Sequence, residues 1–152
     1  MVERYSYKSI KAFTLVELLV VMAIIGVLAS LGVASFRTAQ MRGRDAQRKS
    51  DLKQVSHSLE LYYADYGKYP TVDEIDFGSQ FSDSKGTVYF KILPIDPLTS
   101  QSYTYEVPDA PTNQKYKLFA KLENTEDQDC IDGNCAQDPN FAVTSANTYA
   151  TE

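Results

Sequence analysis

The chain has 152 residues, 43% of them hydrophobic, with a net charge of −5, two cysteines and a single histidine. That length allows one modest domain plus an anchor. It offers little to an enzyme: His57 has no nucleophile–acid set around it, and no glycine-rich phosphate loop is present. The charge is uneven. Residues 37–53 carry Arg37, Arg42, Arg44, Arg48, Lys49 and Lys53 against Asp45 and Asp51, a local +4. From residue 54 onward 6 basic residues face 16 acidic ones, a local −10, which argues against a general nucleic-acid binder.

Residues 1–12 form a short polar leader in which Arg4, Lys8 and Lys11 outweigh Glu3. Phe13 to Phe36 is then a run of 24 residues with one charge, Glu17. As a helix it would reach about 36 Å, enough to cross a hydrocarbon core of about 30 Å. It is too long for an ordinary signal core, and no small-residue cleavage site closes it, so it reads as a retained anchor. A carboxylate inside such a run is costly and needs a reason to be there. Small residues recur at Gly26, Ser30 and Ala34, a spacing that lets membrane helices approach closely. It is equally what membrane helices commonly contain.

The basic stretch at 37–53 reads as a solvated helix near lipid headgroups, or as a surface for a neighbour's acidic face. Its middle, RTAQMRGRDAQRKS, shows no apolar stripe and predicts solvent or partner subunits on all sides. Gly43 is a weak point within it. From Leu52 a stripe appears: Leu52, Val55, Leu59, Tyr62 or Tyr63, and Tyr66, at helical spacing. Gly67 is placed as a C-terminal cap and Pro70 blocks continuation. One helix from about Phe13 to Tyr66 follows.

Residues 71–86 read as a loop with a helical turn. Strands are predicted at Thr87–Leu93, Ser102–Val107 and Tyr116–Leu122, with a short fourth at Phe141–Thr144. The expected solution is one antiparallel sheet on the apolar face of 52–66, an α+β fold. Clustered Tyr62, Tyr63, Tyr66 and Tyr69 suit packing between helix and sheet. The domains so read are 1–12, 13–36, 37–66 and 67–152.

Cys130 and Cys135 flank Asp132-Gly133-Asn134, strong turn chemistry. The pair suits a disulfide in an oxidising compartment, with two free thiols as the other reading. Around it lie Glu123, Glu126, Asp127, Asp129, Asp132, Asn134 and Asp138.

The stretch KAFTLVELLVVMAIIGVLASLGVASF, residues 11–36, closely resembles the N-terminal cleavage and methylation segment of type IV pilins and type II secretion pseudopilins. The resemblance implies that a prepilin peptidase cuts between Ala12 and Phe13 and that Phe13 is N-methylated. Ala12 stands where the family usually has glycine. It also implies that Glu17 pairs with the new amine of an adjacent subunit. A glutamate reaching headgroups is the other reading. Many relatives carry a helix-bending proline where Ala34 stands, so a straighter helix is expected. LPIDP with SYTYEV resembles the LP-x-DP…Y-x-Y pattern of the major pseudopilin, although Leu98 and Thr99 replace its tryptophan and glycine. Relatives of that kind hold calcium in an acidic loop. Asp127, Asp129, Asp132 and Asn134 are the candidate ligands here, against a merely solvated loop.

The function implied is a structural subunit of a pilus-like filament or secretion pseudopilus, without catalysis or a required cofactor. Its partners would be copies of itself, other pilins, the peptidase, an assembly platform with its motor, and membrane lipid before assembly. The alternative is a minor pilin that captures DNA or a surface ligand. The expected location is the inner membrane, single-pass, with the C-terminal domain outside and a surface or periplasmic filament after assembly. The charge flanking the anchor does not favour that orientation. The cysteine pair and the resemblance do.

Overall fold

The computed structural model describes residues 13–150. The chain divides into two compact units, residues 1–39 and 40–152. Helix α1, Leu15–Tyr66, contributes residues to both.

In the first unit α1 begins behind Thr14. The Thr14 Oγ1 accepts the Glu17 N–H at 3.2 Å, and the Glu17 carboxylate accepts the Thr14 N–H at 2.8 Å. This reciprocal capping box satisfies two otherwise orphaned amides at the helix start. Phe13, Leu15, Val16, Leu18 and the large apolar residues described through Phe36 are all exposed.

In the second unit the end of α1 is fixed as the sequence predicts. Gly67 takes a left-handed φ of 66° and its N–H donates to the Tyr63 carbonyl at 2.7 Å, closing the helix. Leu52, Val55, Leu59 and Tyr62 are buried, and Tyr63 and Tyr66 are packed at the edge of that core. The buried face does not begin at Leu52, however. Asp45 and Arg48 lie on it too, and Asp51 beside it, so the spacing 45, 48, 52, 55, 59, 62 is one continuous stripe. The segment expected to need solvent or neighbours on all sides is therefore covered by its own domain at Asp45 and Arg48. It escaped the apolar pattern because its buried face is ionic.

After a single 3-10 turn at Val72–Glu74 come β1 (Phe81–Ser82), β2 (Val88–Phe90), β3 (Thr104–Glu106), β4 (Lys117–Ala120) and β5 (Phe141–Thr144). They form two antiparallel sheets, in contrast to the one expected: β1–β2, and β3–β4–β5. The reason lies in the linking residues. Asp83 Oδ1 accepts the N–H groups of Lys85 and Thr87 and turns the chain back on itself as a hairpin. Pro94 and Pro97 then follow β2 and lack the N–H groups a ladder needs.

The central strand β4 pairs Leu118 with Tyr105 on one side and Val143 on the other. It is buried along its whole length, Lys117 and Phe119 included, so both faces are covered. The core between α1 and the sheets is rich in tyrosine, and several of the hydroxyls are partnered. Tyr103 donates to Asp51 at 2.9 Å, Tyr105 to the Pro70 carbonyl at 2.8 Å, and Tyr69 to Glu60 at 3.0 Å. The rings of Tyr69 and Tyr116 meet edge to face, 4.7 Å between centroids.

Candidate functional site

Two clusters carry the site residues singled out by sequence, and the structure adds a third. The first is the start of α1. Ala12 lies outside the described residues. Phe13 stands just before the cap and is 84% exposed. Glu17 is the capping-box carboxylate, and it accepts the Thr14 hydroxyl as well, at 2.8 Å. The residue thus has a local role that the two readings of the sequence omitted. The signal was available: threonine followed three residues later by glutamate, ahead of an apolar run. Ser30 donates its hydroxyl to the Val27 carbonyl at 2.7 Å, so its polarity is satisfied within its own helix. A Cβ at Gly26 would meet nothing within 4 Å. Ala34 lies within α1, and its side chain is outside the described residues. The helix contains one window long and apolar enough to cross a membrane.

The second cluster is the C-terminal loop. Cys130 and Cys135 are joined by a disulfide. Asp132 sits in the turn between them with a left-handed φ of 52°. Asn134 Oδ1 accepts the Ala136 N–H at 3.1 Å. Asp127 and Asp129 are brought together, but by an ammonium: Lys49 Nζ donates to Asp127 Oδ1 at 2.6 Å and to Asp129 Oδ2 at 2.7 Å. With Lys49 between Asp127 and Asp129, that pair is not open to a calcium ion as it stands. Among the described residues no three His, Cys, Asp or Glu side chains are grouped to hold a metal. Asn140, fully buried, ties the loop to the chain just after β4. Its Oδ1 accepts the Leu122 N–H at 2.6 Å, and its Nδ2 donates to the carbonyls of Leu122 and Cys135.

The third cluster was not read from the sequence as a site. Arg48 is 0% exposed. Its Nε and Nη2 donate to the two Asp96 oxygens at 2.8 and 2.9 Å. Its Nη1 donates to Asp45 and to Glu123, each at 2.7 Å. Arg44 forks onto Glu123 as well. Three carboxylates thus meet two guanidinium groups. The excess negative charge is offset by backbone donors: Asp45 accepts the N–H groups of Glu123 and Asn124, and Asp96 accepts that of Leu98. The Arg44 bond, aided by Arg48 against the cost of burial, lowers the Glu123 carboxyl from its usual 4.5 to about 2. Burial works against the Arg48 charge, and its three acidic partners more than overcome it, raising its pKa. Burial likewise opposes the Lys49 charge, and Asp127 and Asp129 outweigh it.

This geometry corrects one expectation. Arg44, Arg48 and Lys49 are not headgroup-facing charges; they bind the acidic loop of their own chain. Asp96 is the acid of LPIDP, so that motif carries the bidentate partner of a buried arginine.

Residues 7–33 match the prokaryotic N-terminal methylation motif. The chain is 30% identical over 107 residues to the type II secretion system core protein G of Pseudomonas aeruginosa, covering 63% of this chain and 72% of that protein. The chain belongs to the type IV pilin and type II secretion pseudopilin family. It is also 34% identical over 96 residues to the core protein G of Aeromonas hydrophila, covering 56% of this chain and 65% of that one. To the type IV major pilin protein PilA of Myxococcus xanthus it is 30% identical over 81 residues, 52% of this chain but only 34% of that pilin. No solved structure matches. By name these relatives are a type IV major pilin and type II secretion system core proteins, and a pilin-like structural subunit with an apolar N-terminal helix is what the chain is similar to.

Proposed function

We propose that this chain is a filament subunit made as a membrane-anchored precursor in the inner membrane. A prepilin peptidase cuts between Ala12 and Phe13, and Phe13 is N-methylated. The domain from residue 40 onward lies outside the membrane. Subunits leave the bilayer as an assembly platform and its motor add them to the filament, where α1 of one copy buries α1 of the next.

The observation that carries this reading is the exposure of every large apolar side chain described between Phe13 and Phe36, a stretch whose one charge, Glu17, lies in the first turn of α1. Lipid accepts such a surface, and so do copies of the same helix. Cutting before Phe13 creates an amine four residues from Glu17. A neighbour's amine would then offset the Glu17 charge and select one register between subunits. Gly26, Ser30 and Ala34 would permit close approach of the helices. The DNA-capturing alternative gains nothing from Arg44, Arg48 and Lys49, which are engaged inside the domain.

The test is the N-terminal residue and mass of the protein purified from its own cell membranes. A chain beginning at Phe13 with one added methyl group is expected. A chain still beginning at Met1, in cells with an active prepilin peptidase, would contradict the proposal.

A further inference from the structure

We propose that the Lys49 ammonium is the resident cation of the acidic C-terminal loop, so that the loop folds onto α1 without a divalent ion. The inference does not rest on the filament reading. It concerns only the unit formed by residues 40–152.

The loop from Glu123 to Asp138 brings six acidic residues into a short stretch. Such a loop repels itself unless cations are supplied, and calcium, which takes six to eight oxygens at about 2.3–2.6 Å, is one way to supply them. Here the chain supplies its own. Glu123 is held by Arg44 and Arg48, and Asp138 pairs with Lys121 at 2.6 Å. Asp127 and Asp129, the two acids that converge, do so on Lys49 Nζ.

The arrangement is built, not incidental. Asp127 Oδ1 accepts the Asp129 N–H at 3.0 Å as well as the ammonium, so one oxygen fixes both the turn and the cation. Lys49 Nζ lies 5.8 Å from the centroid of the Phe141 ring on β5, an aromatic face that favours a cation. Lys49 is largely covered, and so is Asp127. A divalent ion entering between these two aspartates would have to displace the ammonium or sit against it. Either costs electrostatic energy, because the ammonium already offsets one of the two negative charges and a divalent ion would repel it. The same lysine places the loop against α1 beside Arg44 and Arg48, which makes docking of the loop a property of the helix sequence.

The full chain in detergent micelles tests this directly. Calcium is titrated calorimetrically, and thermal melting is followed by the near-ultraviolet circular dichroism of the tyrosines, in chelator and in millimolar calcium. The wild-type chain is expected to give no saturable heat and one melting midpoint in both conditions. Lys49→Met is expected to lower the midpoint, and Lys49→Arg, which keeps the charge, to lower it less. Saturable calcium binding to the wild type that Asp127→Asn abolishes, with a midpoint raised by calcium, would overturn the proposal. So would a Lys49→Met chain that melts with the wild type. The wild-type titration decides the matter even where Lys49→Met fails to fold.

Discussion

One helix serves two regions that satisfy themselves in opposite ways. From Leu15 to Phe36 its large apolar side chains find nothing to pack on within the described chain. From Asp45 to Tyr62 its buried stripe is matched residue by residue: Leu52, Val55 and Leu59 by the core, Asp45 and Arg48 by ion partners. The difference teaches where the missing partners are. The second region is complete in one molecule. Under the proposed function, the first is covered by lipids or by other copies of itself.

That comparison breaks most severely at Arg48. Removing it by Arg48→Met would leave Asp45, Asp96 and Glu123 converging without their central cation. Breaking a buried ion cluster in this way costs about 3–5 kcal/mol, read by thermal or denaturant unfolding of the full chain in detergent. Leu59→Ala, which empties the apolar part of the same stripe, is expected to cost about 2–5 kcal/mol by the same measurement. Unaltered stability in either variant would mean that the stripe is not continuous. Reducing the Cys130–Cys135 disulfide closes off a smaller contribution, about 2 kcal/mol for so short a loop.

The pH dependence of the second region is gentler still, and its sign is fixed. The Glu123 carboxyl titrates near 2 in the folded chain against the usual 4.5. A lowered folded pKa gives stability that is fully present above 4.5 and is lost as the pH falls toward about 2. The melting midpoint should therefore decline across that window, and Glu123→Gln should flatten the decline.

Much of this was legible in sequence, and the exceptions share a physical cause. The end of α1 could be read because Gly67 and Pro70 are chemically specific punctuation. Leu52, Val55, Leu59 and Tyr62 could be read because apolar residues at helical spacing have one explanation. Phe141–Thr144 was bounded correctly for the corresponding reason in strands. Asp45 and Arg48 occupy the same stripe but read as solvent-facing, since charges seldom mark a buried face. Their partners Asp96 and Glu123 lie 48 and 75 residues from Arg48, beyond any local pattern. The pairing of Lys49 with Asp127, 78 residues apart, was hidden in the same way. The split into two sheets depended on the Asp83 turn, a side chain bonding to nearby backbone, which strand propensity does not register.

The division between the two regions is tested most directly by Glu17→Ala. Filament yield from cells and the melting midpoint of the purified chain in detergent would be measured side by side. The account predicts that filaments are lost while the midpoint of the tyrosine-rich domain is unchanged. Filaments formed at wild-type yield, or a domain destabilised together with assembly, would contradict it.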